Sequence, residues 1–337
     1  MCDIAQAERH VGELIAKGVE PVVLASLVDL ATARVLQSIA ADGRIRLFTE
    51  QSKSESAIRT SMVRDGMISG TLGDVRRHAD LVWIVGDIAA TAPRFIDEVI
   101  RPGSGPSVHQ FAAGATVDEI VAFSVAVETD GQQRSSGRMS GLLDAVYATV
   151  NSDPDSGRSD NPFAVRYLAV VIADNAFDDD AALAVAAILN RAIMKLNEKI
   201  RAVVIALDSA ATLRSVSAWS QNRSLPVWDS DATAAPLGTA MIRIGNPRPA
   251  AADNENADNE NADNGSTNLV AVQIGGVDPG PESAICYLPA SIPGVDRDGF
   301  VVRGDGSVSL PLMAAGQQPG DQSMLASAGE LLISLLS

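Results

Sequence analysis

Short, continuous apolar runs alternate with amphipathic stretches along most of this sequence, and that alternation limits the possible folds more than any other feature. The runs are predicted strands at 21–26, 45–49 and 81–87, and the stretches between them are predicted helices at 27–41 and 54–64. Strands that are buried on both faces have such unbroken apolar runs, and intervening helices are typical of a parallel sheet. A parallel sheet normally carries its chemistry in loops at the carboxyl ends of its strands, which here begin near Ser26, Thr49 and Gly86.

The same alternation resumes after residue 166. The predicted strands there are 167–174, 200–207, 268–276, 284–289 and 308–312, and the predicted helices are 178–199, 209–220 and 325–336. Between the two alternating parts, residues 128–161 are rich in Gly, Ser, Asp and Asn, which favours a connection with one short helix near 138–149. The sequence therefore predicts an α/β protein with two Rossmann-like parallel-sheet units.

The domain boundaries follow from where the last strands are expected to pair. We expect the final segment to extend the first sheet, so that residues 1–130 and 266–337 form one discontinuous α/β domain. Residues 140–250 then form a second α/β domain inserted into the first. Residues 252–264 repeat the unit ADNEN, and a segment this polar buries too little apolar surface to offset its ordering entropy. We therefore predict a disordered loop over 251–265.

Composition excludes several classes of function. The formal net charge is −16, from 42 acidic and 26 basic residues, which disfavours binding to nucleic acid. The two cysteines, Cys2 and Cys286, are too few for a cysteine-ligated cluster, a zinc knuckle or a disulfide framework, and Cys286 is expected to be a free, buried thiol. The apolar runs are far shorter than the roughly 20 residues of a membrane span, and no signal peptide is recognisable. We expect a cytoplasmic protein.

No catalytic motif is recognisable from residue spacing. The turn after the first strand lacks the glycines of a dinucleotide-binding loop, and neither a Walker loop nor a GxSxG elbow occurs. The three histidines, His10, His78 and His109, stand apart from one another, so no metal site is predicted. Spacing and composition alone locate no active site.

Three stretches nevertheless resemble one family when they are taken together. They are residues 21–42, residues 70–95 and residues 284–312, and the last contains Pro289, Gly294, Gly299, Arg303 and Pro311 in the family's order. These stretches resemble the B subunit of formylmethanofuran dehydrogenase, which carries molybdopterin or tungstopterin in the archaeal enzyme. The resemblance extends from about residue 20 to residue 315. It implies the two Rossmann-like units of molybdopterin oxidoreductase domains, without the parts that hold the iron–sulfur cluster and cap the pterin.

This sequence departs from the redox members of that family at the positions that carry their chemistry. Their N-terminal cluster-binding cysteines are represented by Cys2 alone. The resemblance places their metal-ligating Cys and following His on Ser54 and Glu55, in a loop after the second strand. It places their catalytic arginine on Asp208. A serine hydroxyl is a poor ligand for a soft, high-valent metal, so neither metal nor pterin is expected here.

The shortened B subunit of the bacterial formyltransferase/hydrolase complex resembles this pattern better. That complex transfers a formyl group from tetrahydromethanopterin to a methanofuran-like carrier and releases formate without redox chemistry. The resemblance implies a structural subunit that is catalytically inactive by itself, in formaldehyde oxidation and one-carbon metabolism. Its implied partners are an amidohydrolase-like subunit, a formyltransferase subunit and a third homologous subunit, and its implied ligand is the carrier.

Two alternatives stay open from the sequence. One is a divergent formylmethanofuran dehydrogenase subunit, an oxidoreductase that still binds molybdopterin or tungstopterin. The other is an unrelated module that binds a small molecule. Under the main interpretation, the basic residues Arg59, Arg64, Arg76 and Arg77 are candidates for contacts with a partner or an anionic carrier, and solvated helix faces are the competing interpretation.

Overall fold

The structure of the chain is a computed structural model. It describes residues 3–49, 53–101, 105–133, 137–147, 164–173, 175–177, 180–221, 225–226, 241–245, 270–280, 283–315 and 325–337. The predicted disordered loop at 251–265 lies outside these residues.

Helices and strands alternate through most of the described chain. The helices are α1 (Ile4–Ala16), α2 (Leu30–Ala41), α3 (Lys53–Asp65), α4 (Leu72–His78), α5 (Ile88–Thr91), α6 (Val117–Glu128), α7 (Arg138–Val146), α8 (Ala182–Leu196), α9 (Ala211–Gln221) and α10 (Ala328–Leu335), with a π-helical turn at Ile96–Ile100. The strands are β1 (Val22–Ala25), β2 (Arg46–Thr49), β3 (Leu81–Val85), β4 (Ser107–Phe111), β5 (Tyr167–Ile172), β6 (Arg201–Ala206), β7 (Met241–Ile244), β8 (Val270–Ile274), β9 (Ala284–Leu288), β10 (Gly299–Val302) and β11 (Ser309–Leu312).

The chain forms two compact units, and the first is discontinuous in sequence. Unit 1 consists of Met1–Gln51 and Ser209–Ser337. Its sheet has the order β2-β1-β7-β8-β9, with every neighbouring pair parallel. Val23, Ile242 and Val272 from this sheet join one apolar core together with residues of α1, α2 and α10. An antiparallel ribbon of β10 and β11 completes the unit.

Unit 2 is Ser52–Asp208, and it has a smaller parallel sheet. The strand order is β4-β3-β5-β6. Successive side chains of a strand point to opposite faces, so both faces of a buried strand need apolar residues. Leu81, Trp83 and Val85 lie in the core that also contains α6, α7 and α8, while Val82 and Ile84 lie in a second core on the other face. The apolar run of β3 is therefore unbroken.

Several helices begin at residues that cap them. In α1, α4, α6 and α10, the capping side chain accepts a hydrogen bond from the backbone amide of the third helical residue, whose own side-chain oxygen accepts one from the backbone amide of the capping residue. The pairs are Asp3 with Gln6, Thr71 with Asp74, Thr116 with Glu119, and Ser327 with Glu330. Such reciprocal pairs satisfy backbone donors that a helix start leaves unpaired.

The units divide the chain at positions other than the predicted domain boundaries. Residues 53–130 were expected with the C-terminal segment, and residues 209–250 were expected in the inserted domain. The structure instead pairs β3 with β5 in unit 2 and β1 with β7 in unit 1. The predicted boundaries were wrong because an apolar run indicates a buried strand without indicating its neighbour.

The fold class and most predicted elements of the described chain are confirmed. Both larger sheets are parallel, and each predicted strand or helix in the described residues overlaps an observed one. One prediction about the core was wrong, since Cys286 is buried in β9 but disulfide-bonded rather than free. No helix in the described ranges is long and apolar enough to cross a membrane.

Candidate functional site

Unit 1 has a cavity at the point where the strand order of its sheet reverses, between β1 and β7. The chain leaves β1 for β2 on one side, and β7 lies on the other side of β1. Ligands of open α/β sheets bind outside the carboxyl ends of strands at such a switch point. The cavity has a volume of about 250 Å³ and is formed by residues that follow β1, β7, β8 and β9, with others from α2 and α10. We call it the switch-point cavity.

The β1–α2 turn forms one wall of the switch-point cavity. Leu27 has a φ of 51°, a left-handed conformation that is uncommon for residues other than glycine, and 61% of its surface is exposed. The backbone amide of Ser26 donates to the carbonyl oxygen of Ile244 over 3.2 Å, and that of Leu27 donates to the carbonyl oxygen of Ser209 over 3.1 Å. Local strain of this kind persists where surrounding contacts hold the backbone, and it is often found at functional sites.

An ion pair between a buried carboxylate and a partly exposed guanidinium joins two walls of the cavity. Asp29 caps α2 and accepts from the backbone amide of Thr32 over 3.1 Å, while its other oxygen accepts from Nη1 of Arg297 over 3.1 Å. Asp29 is 2% exposed. Burial alone would raise the pKa of Asp29, but the hydrogen bonds from Arg297 and Thr32 outweigh it and hold the pKa below its ordinary value. Asp29 is therefore a charged carboxylate at neutral pH.

Arg297 is fixed by further contacts. Its Nε donates to Oγ of Ser291 over 3.1 Å, and its Nη1 also donates to the carbonyl oxygen of Asp298 over 3.3 Å. Ser291, in turn, donates through its backbone amide to the carbonyl oxygen of Ala326 over 2.9 Å. These bonds hold the guanidinium in one orientation at the side of the cavity.

Two side chains donate hydrogen bonds to the glycine turns that follow β7 and β8. Nε2 of the buried Gln273 donates to the carbonyl oxygens of Gly245 and Gly275, over 2.9 Å and 3.0 Å. The hydroxyl of Tyr287 donates to the carbonyl oxygen of Gly276 over 2.8 Å. The backbone that lines this side of the cavity therefore has its carbonyl groups satisfied within the protein.

The residues that the family resemblance selected lie in unit 2, outside the cavity. Ser54 and Glu55 are 1% and 2% exposed and belong to the first turn of α3, which overlaps the helix predicted over 54–64. The Ser54 hydroxyl oxygen accepts from the backbone amide of Phe177 over 3.0 Å, and the hydroxyl donates to the Phe177 carbonyl oxygen over 3.4 Å. Ser54 thus fastens α3 to the segment that follows β5.

Asp208 is joined to the same helix. Nη2 of Arg59 donates to a carboxylate oxygen of Asp208 over 2.8 Å, and the Asp208 side chain is 7% exposed. Arg59 is one turn beyond Glu55, so both side chains lie on one face of α3. The three positions that the family resemblance selected, Ser54, Glu55 and Asp208, therefore lie on α3 or in contact with it. Residue spacing alone did not suggest this.

The proposed basic cluster is only partly available for contacts outside the chain. Arg59 pairs with Asp208, and Arg64 pairs with its neighbour Asp65 over 2.7 Å. Arg76 and Arg77 lie in the last turn of α4, where positive charge suits the helix dipole. Residue spacing did not indicate that two of the four arginines are neutralised within unit 2.

The Arg59–Asp208 pair supplies a stability prediction. Replacing Arg59 with methionine should lower the free energy of unfolding by about 2 kcal/mol, because it removes a cation that pairs with a nearly buried carboxylate. Urea unfolding of the full chain measures the change. Arg64→Met is the matched control on the same helix, and it should leave stability nearly unchanged because the Arg64–Asp65 pair is exposed. Equal losses in the two variants would contradict the prediction.

Within the described ranges, no group of three or more His, Cys, Asp or Glu side chains could hold a metal ion. The arrangements found are an apolar cavity with one ion pair in unit 1 and a set of buried polar contacts in unit 2. The first is suited to binding a small molecule. The second is suited to holding α3 against its neighbours.

Comparison with known proteins gives a fold and leaves the family open. No protein-family model matches this sequence, and no curated protein is similar to it in sequence. The fold is similar to a chain in the crystal structure of the formyltransferase/hydrolase complex (FhcABCD) from Methylorubrum extorquens in complex with methylofuran. The TM-score is 0.64 at 16% sequence identity, and the match covers 100% of this chain and 96% of that chain. The shared feature is the α/β fold over the whole length.

Proposed function

We propose that this chain is a non-redox structural subunit of a formyltransferase/hydrolase complex in tetrahydromethanopterin-linked one-carbon metabolism. The observation that carries the proposal is the similarity of fold to a chain of such a complex, over 100% of the present chain. The stretches 21–42, 70–95 and 284–312, which resemble the B subunit of formylmethanofuran dehydrogenase, support the role of that subunit.

The chemistry of Ser54 and Asp208, two of the residues that the family resemblance selected, supports a role without a pterin-bound metal. Molybdenum and tungsten need a soft donor such as a thiolate, and Ser54 offers a neutral hydroxyl. That hydroxyl is 1% exposed and already bonded to both backbone groups of Phe177. Asp208 is a carboxylate held by Arg59 rather than a cation that faces a substrate. These residues do not fit a molybdenum or tungsten site.

The proposed partners are an amidohydrolase-like subunit, a formyltransferase subunit and a third homologous subunit, and these would carry the reaction. The present chain would support their arrangement and contribute to the surface along which a methanofuran-like carrier docks. This division of labour agrees with the internal contacts of Ser54 with Phe177 and of Asp208 with Arg59.

Purification from the native host tests the proposal. A tagged chain at its natural expression level should bring down three companions of these types in comparable amounts, as identified by mass spectrometry. A tagged, unrelated protein of similar negative charge is the control, because a net charge of −16 attracts basic proteins without specificity. Recovery of the chain alone as a monomer in native mass spectrometry would contradict the proposal.

The divergent oxidoreductase is separated from this proposal by elemental analysis of the same preparation. A structural subunit should contain no molybdenum or tungsten above background. A stoichiometric amount of either metal would establish the alternative and overturn the non-redox role, whether or not the companions are present.

A further inference from the structure

The size and walls of the switch-point cavity indicate what it could hold. Pockets for drug-sized ligands measure about 300–1,000 Å³, and this one, at about 250 Å³, lies just below that range. Its walls are mainly aliphatic, from residues of four separate segments: Leu27, Val28, Ile244, Ile274, Ala290, Ile292 and Pro293. A ligand that fills it must be small, with a compact apolar body.

The charges in the cavity restrict the ligand further. Asp29 and Arg297 both line it and pair with each other, so the charges of these two groups cancel. An anionic or cationic ligand would add an uncompensated charge next to an apolar wall, which is costly without a partner of opposite sign. The cavity therefore favours an electrically neutral molecule.

One nitrogen of Arg297, a residue that lines the cavity, donates no hydrogen bond within the described part of the chain. Arg297 donates through Nε to Ser291 and through Nη1 to Asp29 and Asp298, whereas Nη2 donates to no described residue. A guanidinium nitrogen only donates, so its natural complement is an acceptor such as a carbonyl oxygen. We propose that the switch-point cavity binds a small, neutral carbonyl compound with an apolar ring or chain, whose oxygen accepts from Arg297.

This proposal concerns unit 1 alone and does not rest on the proposed function. It is tested on the purified full chain, with isoleucine methyl groups labelled for NMR. The probes are benzamide, its charged relatives benzoate and benzylamine, and toluene, which lacks the acceptor. Benzamide should shift the methyl signals of Ile244 and Ile274 saturably, while those of Ile84 and Ile205 in unit 2 should stay in place. Benzoate and benzylamine should bind at least about tenfold more weakly, and toluene should also bind more weakly than benzamide.

A variant that fills the cavity supplies the control for location. Ala328 is a partly exposed lining residue at the start of α10, and Ala328→Phe should abolish the benzamide shifts. Ile333→Phe, on the same helix at a position that does not line the cavity, should preserve them. If Ala328→Phe does not fold, Ile292→Trp at the half-exposed rim replaces it.

Several results would overturn the proposal. One is the absence of saturable shifts with benzamide. Another is that benzoate or benzylamine binds as tightly as benzamide. A third is that the benzamide shifts survive in the variant whose cavity is filled. Toluene binding as tightly as benzamide would overturn the role of Arg297 as a donor. None of these results depends on companion subunits, so the test can fail while the proposed function stands.

Discussion

Replacing Gly245 with alanine is expected to lower the free energy of unfolding of unit 1 by about 2–6 kcal/mol. Gly245 follows β7 with a φ of 101°, outside the range that side-chain-bearing residues adopt readily. A Cβ atom at this position would overlap the carbonyl oxygen of Ser26, which is backbone and has little freedom to move. Conformational strain of about 1–3 kcal/mol and overpacking of about 1–3 kcal/mol act together here.

The control for this variant separates the two causes. Gly43, in the turn after α2, has a φ of 71°, and an added Cβ would meet no atom within 4 Å. Gly43→Ala should therefore show only the conformational cost, about 1–2 kcal/mol. Urea unfolding gives the total loss in each variant, and hydrogen exchange of the β1 and β7 amides reports unit 1 directly. Equal losses in the two variants would contradict the packing of the β1–α2 turn against Gly245.

The sequence predicted elements well where burial alone dictates their pattern. β1, β3, β5 and β6 are apolar almost throughout because both faces of these strands are buried. β4 was missed for the converse reason. It is an edge strand, and its residues SVHQF are largely exposed, so it presents no apolar run. Helix α6, which contains the segment VAFSVAVE, was also missed.

Strand pairing could not be predicted, and the domain boundaries were wrong as a result. β3 and β5 are neighbours although more than 80 residues separate them. β1 pairs with β7 over a still longer separation. Hydrophobic periodicity is a local property of the chain, whereas pairing depends on which helices cover which faces. The local hydrophobic pattern of a sequence therefore does not determine the strand order.

The candidate site shows the same division between local and distant information. The loop after Ser26 was predicted as a place for chemistry, and it does form one wall of the cavity. Arg297 was not singled out, because it lies 268 positions from its partner Asp29 and belongs to no recognisable motif. Asp29 could have been recognised as a helix cap, since an Asp directly before an amphipathic helix is typical of a helix start. The ion pair of Asp29 with Arg297 could not have been recognised from such a local pattern.

The Asp29–Arg297 pair supplies the second large effect. Asp29→Asn should lower the free energy of unfolding by about 2 kcal/mol, because it removes the buried anion that pairs with Arg297, whose side chain is partly exposed. Asparagine caps helices as well as aspartate does, so the start of α2 is preserved and the loss reports the ion pair. Arg297→Met should cost a similar amount, and the double variant should cost less than the sum of the two. Additive losses would mean that the two residues do not stabilise each other.

The pH dependence of the Asp29→Asn effect identifies the charged group. The Asp29 pKa lies below its ordinary value of 3.8 in the folded protein, so the folded state binds the proton more weakly than the unfolded chain does. The stabilisation is then fully present above that ordinary value, and it is lost as the pH falls through the folded-state pKa. Urea unfolding between about pH 3 and pH 7 should show a constant difference between the wild type and Asp29→Asn above about pH 5, and a smaller one towards pH 3. A difference that persists unchanged to pH 3 would mean that a neutral hydrogen bond, rather than the carboxylate charge, joins the two walls of the cavity.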